Sequence, residues 1–230
     1  MSIPQKLAQA LRPVTVVVGH YGAGKTNFAV NLAIDLALEG KRIALIDLDV
    51  VNPYFRATEQ RLLLEDHGVN LIAPVFSEAG TSLDVPSLTG RVSPAIRDAS
   101  DDDHVIIDAG GDDVGATALG RFAREVASQD YAMLYVANRY RNLVQDPEDA
   151  LANLREIEAA SHLRATAIVN NSHLKGVTTL ETINAGIDYV SALSSVMGLP
   201  VACTTTSIGG DGVLAGDLYE VTCYVKSPWE

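Results

Sequence analysis

Short β-branched runs alternate with longer segments whose apolar positions recur at helical spacing, and this alternation extends along the chain. Val14 to Val18 is apolar at all but one position and stops at Gly19, so it reads as a strand feeding a glycine-rich turn. From Asn27 to Glu39 the polar residues Asn27, Asn31, Asp35 and Glu39 recur every four positions among apolar ones. That spacing predicts a helix buried on most sides with one thin wet stripe, stopped by Gly40. Arg42 to Ile46 is the next strand and runs into Asp47-Leu48-Asp49, and Asn52-Pro53 then rules out continued central pairing. A helix over Ala57 to Glu65 and a strand near Asn70 to Ala73 follow. Residues 74–93 read as a long irregular connection rich in Pro, Gly, Ser and Thr. Further strands are expected at His104 to Ile107, Tyr131 to Val136, Thr166 to Val169 and Val201 to Cys203. Between them lie helices over Val114 to Ser128, Glu148 to Ala160 and a long one carrying Leu180, Ile183, Ile187, Val190, Leu193 and Met197. About seven strands joined mostly by helices imply an α/β fold, a mostly parallel sheet covered on both faces.

At 230 residues, with no repeat and no low-complexity tract, the chain reads as a single domain over 1–230, with Met1 to Arg12 and the tail after Tyr224 expected to be loose. Seventeen Lys and Arg against 29 Asp and Glu give a net charge of −12, which disfavours a nucleic-acid partner because such binding depends on neutralising phosphates. No apolar run is long enough to span a membrane and no secretory segment is visible, so a cytoplasmic protein without a membrane partner is expected. Cys203 and Cys223 form no C-x-x-C pair and read as ordinary thiols of a reducing compartment.

The chemistry begins at Gly19-His20-Tyr21-Gly22-Ala23-Gly24-Lys25-Thr26, which fits G-x-x-x-x-G-K-[ST] between a predicted strand and a predicted helix. Glycines let successive N–H groups turn toward one anion, and the helix N-terminus adds its dipole. Gly19, Tyr21, Gly22, Ala23, Gly24, Lys25, Thr26 and Asn27 are therefore candidate nucleotide contacts, with Lys25 meeting the β and γ phosphates. Thr26 offers its hydroxyl to Mg²⁺. Asp108 ends a predicted strand and leads into Ala109-Gly110-Gly111, in the manner of a Walker B carboxylate before a switch II loop. Asp47 and Asp49 end the second strand two residues apart, on one side of it.

In this order the motifs resemble the MinD/ParA/CobQ-like branch of P-loop proteins, in the class shared with signal-recognition GTPases and nitrogenase iron protein. The resemblance rests on the P-loop, on Ala44-Leu45-Ile46-Asp47-Leu48-Asp49, on Val105-Ile106-Ile107-Asp108-Ala109-Gly110-Gly111 and on Val169-Asn170-Asn171-Ser172. It implies a P-loop nucleoside triphosphatase fold and ATP with Mg²⁺ as ligands. It also implies an ATP-bound homodimer that acts as a switch or accessory factor for a client protein. Lys25 and Asp49 would be catalytic, Asp49 orienting water. Thr26, Asp47 and Asp108 would serve the metal, and Asn170 or Asn171 would touch adenine. The absence of any [NT]-K-x-D motif favours ATP over GTP.

The chain departs from the branch where many dimerising members carry a signature lysine, because His20 stands there. Arg56 is the alternative cation. Relatives that hold iron–sulfur clusters or insert nickel use closely placed cysteines, which this chain lacks, and membrane-targeted relatives end in a basic amphipathic helix, also missing. A second reading is an ATP-dependent ligase or kinase resembling dethiobiotin synthetase and cobyrinate amidases. A third is a nucleotide sensor that scarcely hydrolyses. Asp112 and Asp113 follow the switch-like glycines, at the edge where water would be positioned. Asp101 to Asp103 read as a solvated turn, and Arg139 and Arg141 as solvated loop arginines able to meet phosphate.

Overall fold

The computed structural model describes residues 3–49, 57–73, 90–111, 113–173, 178–207 and 217–225. They build one eight-stranded sheet, a strand more than the pattern suggested, and every pairing in it is parallel. The strands are β1 (Val14–Val18), β2 (Arg42–Asp47), β3 (Asn70–Ile72), β4 (Asp103–Asp108), β5 (Tyr131–Ala137), β6 (Ala167–Asn170), β7 (Val201–Thr206) and β8 (Leu218–Glu220), in the spatial order β3-β2-β4-β1-β5-β6-β7-β8. After β1 the chain builds outward on one side and returns through β4 before crossing to β5. The sheet order therefore reverses around β1, and the crevice beyond the carboxyl end of β1 is where such sheets hold ligands.

Burial on both faces explains why the central strands lack polar alternation. In β1, Val17 packs on one side with Phe28, Leu45 and Ile106, while Val14, Val16 and Val18 pack on the other with Ile107, Met133 and Tyr135. The first layer includes helices α1 (Gln5–Ala10), α2 (Lys25–Leu38) and α3 (Arg61–Asp66), which follows a 3-10 turn at Ala57–Gln60. The second is formed by α4 (Val92–Arg97), α5 (Asp113–Gly120), α6 (Ala123–Ala127), α7 (Pro147–Ser161) and α8 (Leu180–Met197). Helix ends carry local signals. Gly40 (φ 89°) closes α2 as its N–H and that of Lys41 bond the Ala37 and Leu36 carbonyls. Thr179 and Thr182 cap α8 reciprocally, and Gly198 in the left-handed region ends it.

Three expectations are corrected. The start of the chain is not loose throughout: α1 buries Leu7 completely and packs near β7. The single helix expected over Val114 to Ser128 is two, α5 and α6. The polar stripe of α2 is not wet along its length, since Asn31 and Asp35 are buried beneath residues 219–225. Asn31 accepts from the Thr222 N–H (2.8 Å) and donates to the Thr222 carbonyl (2.9 Å). Asn27 accepts from the N–H groups of Tyr224 and Val225, and the buried Tyr219 hydroxyl donates to Asp35 (2.8 Å). The Tyr219 ring stands edge-on to Phe28 at 6.0 Å. Polar residues at helical spacing thus bind extended backbone, which must find partners wherever it is buried.

Candidate functional site

The turn after β1 is held open by contacts that admit only glycine at two of its positions. Gly19 (φ 146°) lies so close to the Val136 carbonyl of β5 that a Cβ would collide with it. Gly24 (φ 90°) begins α2, and a Cβ there would meet the Asn171 side chain. Between them the Ala23 N–H bonds the His20 carbonyl (3.1 Å), and Tyr21 and Gly22 form an exposed lip. Lys25, at the first turn of α2, is only 6% exposed, and its ammonium donates to the His20 carbonyl (3.3 Å). The loop thus curls back over its own lysine, with the N-terminus of α2 behind it.

Two strands deliver acids to this edge. Asp47 and Asp108 are register partners at the carboxyl ends of β2 and β4, and β4 also pairs with β1, so both lie beside the loop. Each is fully buried or nearly so. Asp47 accepts from the Asp49 N–H (3.1 Å), and Asp49 is also buried. Neither oxygen of Asp108 meets a donor in regular hydrogen-bond geometry. Burial and then the Asp47 carboxylate push the Asp108 carboxyl up to about 8, against the opposing pull of the Lys25 charge and the Thr26 hydroxyl. A buried carboxylate without a regular hydrogen bond beside a second carboxylate is an arrangement that a divalent cation relieves. Asp47, Asp108 and Thr26 fit Mg²⁺ in its usual form, shared between a few protein oxygens, phosphate and water. No group of three or more His, Cys, Asp or Glu among the described residues forms a metal cage of its own. Gly111 closes the site from the β4 side: a Cβ there would stand 2.6 Å from the Lys25 ammonium and 2.7 Å from the Tyr21 nitrogen.

Three of the residues expected from the sequence to contact nucleotide make side-chain hydrogen bonds within the protein. Asn170 is fully buried, donating to Thr204 (3.2 Å) and accepting from the Ser172 N–H (3.2 Å). The Asn171 amide donates to the Ala23 carbonyl (2.6 Å) and accepts from the Thr205 hydroxyl (2.5 Å). Both amides therefore bond protein groups, and the Asn171 amide braces the phosphate loop. Asn27 likewise spends its side chain on the backbone of residues 222–225. His20 directs Nδ1 to the Tyr21 carbonyl (3.0 Å), within its own loop. Arg56 and Asp112 lie outside the described residues, as does the side chain of Asp113. Asp103 pairs with Arg42 at the opposite end of β4, away from the site.

A comparison with protein families matches residues 14–180 to the CobQ/CobB/MinD/ParA nucleotide binding domain, well over half of the chain. The chain belongs to this family. Among curated proteins it resembles an iron-sulfur cluster carrier protein of Deinococcus radiodurans, 34% identical over an aligned length of 113, with 41% of this chain and 32% of the relative covered. Solved structures that share the fold include chloroplast FtsY of Physcomitrella patens, with a TM-score of 0.57 and 19% identity over 89% of this chain and 65% of that one. Another is the signal recognition particle receptor FtsY of Elizabethkingia anophelis in complex with GDP, with a TM-score of 0.53 and 21% identity over 84% of this chain and 56% of that one. The matched stretch thus spans about a third of the carrier relative's length, and this chain spans less than two thirds of either FtsY. No described helix is long and apolar enough to cross a membrane.

Proposed function

We propose that this protein is a Mg²⁺-dependent ATPase whose nucleotide state switches its association with itself and with a client protein. The observation that carries the reading is the Asp108 carboxylate, buried with no regular hydrogen bond beside Asp47 and facing a loop that presents Lys25 and Thr26. Thr26, Asp47 and Asp108 would hold the metal, which when bound neutralises phosphate charge. The loop amides and Lys25 bind and orient the phosphates, and Asp49, at the edge of the carboxylate pair, orients the attacking water. Phosphoryl transfer depends chiefly on such positioning and charge stabilisation.

Adenine is favoured over guanine because Asn171 is followed by Ser172 and His173, and no guanine-reading [NT]-K-x-D occurs in the chain. The nucleotide-binding domain supports the nucleotide-driven part of this reading, whereas the cluster cargo in the carrier relative's name finds little support in this chain's cysteines. Cys203 is buried, with its thiol pushed up by desolvation, and Cys223 directs its sulfur toward the Val225 carbonyl (3.7 Å). Neither has the exposure and company that a cluster ligand needs.

The test is calorimetry and turnover on the purified chain. ADP should bind more tightly than GDP, and Lys25→Ala should abolish triphosphate binding. Phosphate should be released from ATP without any added small substrate. Unchanged ATP affinity in Lys25→Ala would remove the assignment, and turnover only in the presence of a carboxylate substrate would move the protein to the ligase class.

A further inference from the structure

A nucleotide triphosphate brings several negative charges to a site that already holds Asp47, Asp49 and Asp108. Lys25 is the one cation that the loop itself supplies, and the position of a second loop lysine is His20, turned toward the Tyr21 carbonyl. The chain nevertheless brings another cation to the loop from a distant segment. The Arg141 side chain lies against Gly22: its Nε, Cδ and Cζ are 3.5, 3.6 and 3.7 Å from the point a Cβ would occupy there. A Cβ at Gly22 would stand in ordinary contact with that guanidinium, and the φ of 73° is what favours glycine there. Gly22 thus provides a bare patch of backbone on which a planar cation can rest.

The placement follows from the turn after β5. Asn138, buried, accepts from the Tyr140 N–H (3.0 Å), and the Arg141 N–H bonds the Asn138 carbonyl (3.1 Å). The Arg139 N–H is held by the Ser172 hydroxyl (3.1 Å), its guanidinium donates to the Ala185 carbonyl (2.9 Å), and the Tyr140 hydroxyl donates to the Thr182 carbonyl (2.9 Å). Two of the three residues after Asn138 are therefore tied to the turn after β6 and to α8, and the third is delivered to the phosphate loop. Arg141 makes no ion pair with any described residue, although the chain carries 29 acidic side chains. Its donor fork is exposed at the lip of an anion site and meets no acceptor among the described residues.

We propose that Arg141 is a phosphate-contacting residue of the same chain, its guanidinium donating to the bound nucleotide's phosphate oxygens from the outer side of Gly22. The proposal rests on the nucleotide-binding reading above. A guanidinium suits this position because its rigid fork matches phosphate oxygens, and charge-assisted bonds of this kind are among the stronger ones.

The experiment is calorimetric titration of wild type, Arg141→Ala, Arg141→Lys and Arg141→Gln with ADP and with a β,γ-imido ATP analogue, each with Mg²⁺. Arg141→Ala should weaken at least one of the two nucleotides by about tenfold, the one affected showing which phosphate is met. Arg141→Lys should recover part of the loss, whereas Arg141→Gln should not. Thermal unfolding of the nucleotide-free variants should match wild type because the side chain is exposed. Affinities within twofold of wild type for both nucleotides in Arg141→Ala would overturn the proposal and leave the nucleotide reading standing. Full retention in Arg141→Gln would also overturn it, by assigning the effect to packing on Gly22. A wild-type protein that binds neither nucleotide would instead defeat the underlying reading.

Discussion

Replacing Asp108 by asparagine should make the nucleotide-free protein more stable while depriving it of its response to Mg²⁺. The side chain is 1% exposed, has no partner in regular hydrogen-bond geometry, and faces Asp47 across the strand pair, so folding must either desolvate a charge or take up a proton. Its carboxyl is raised from its ordinary 3.8 to about 8. A carboxyl with a raised folded-state value contributes fully below the unfolded value, near 4, and the contribution is lost as pH rises through about 8. At pH 7, three pH units above the unfolded value correspond to a ceiling of about 4 kcal/mol. Relaxation and water entry bring the expected gain from a neutral, isosteric asparagine to about 2 kcal/mol. For a chain of this size that is a rise in Tm of roughly 4–8 °C. Scanning calorimetry in EDTA at pH 5 and pH 8 measures it: wild type should lose stability between the two, and Asp108→Asn should lose less. Adding ADP and Mg²⁺ should then stabilise wild type more than ADP alone, with that Mg²⁺ increment reduced in the variant. A nucleotide-free Asp108→Asn that melts at or below wild type at pH 7, with the same pH dependence, would refute the reasoning.

Asp49→Ala should slow ATP hydrolysis by about 10²-fold or more while leaving ATP affinity within a few-fold, since the loop and Lys25 hold the ground state; a wild-type rate in a phosphate-release assay would shift the water-orienting role to another carboxylate. The same variant, incubated with ATP, should accumulate as a dimer by light scattering, because the resetting step is lost. Asn31→Ala should cost about 1–3 kcal/mol in urea unfolding, because the Thr222 N–H loses its partner while its carbonyl keeps the Asn27 amide; a cost under about 0.5 kcal/mol would mean that residues 219–225 are not held by this helix.

The path from β1 through the loop into α2 was readable because glycines punctuate it and both flanking periods are strong. The parallel sheet was equally legible, because strands buried on both faces show as continuous aliphatic runs. What escaped was short or polar. The β8 strand has three residues, one of them glutamate, and α1 offers a single fully buried leucine in Gln-Lys-Leu-Ala-Gln-Ala. In α2 the four-residue period correctly marked a polar face, but a period reports only that a face differs and not what lies on it. Asn170 and Asn171 show the same limit at the site: their chemistry suits a base edge, and only the fold reveals that they also bond Thr204, Thr205, Ser172 and Ala23. For Arg141 the sequence showed only a loop arginine able to meet phosphate, and its approach to Gly22 comes from the fold, because the two lie on different strand connections.

The cradle is braced from several directions, and this determines where a nucleotide's arrival can be transmitted. Val136 fixes the start of the loop, Asn171 its end, and the backbone of residues 222–225 the first turn of α2 through Asn27. These contacts join parts of one buried sheet and helix layer, so they resist displacement as a packed interior does. The approach of Gly111 to the Lys25 ammonium, close enough that a Cβ would not fit between them, differs because it brings the loop against the connection that follows Asp108. A phosphate drawn to Lys25 competes for the space over that ammonium, and a cation drawn to Asp108 acts at the root of the same connection. On the proposed function, both ligands would bear on the Asp108-to-Gly111 stretch. A switch needs such an element, one whose two arrangements bind the ligand unequally. If the client senses nucleotide state, the segment beginning at Asp108 is where the difference must first be made.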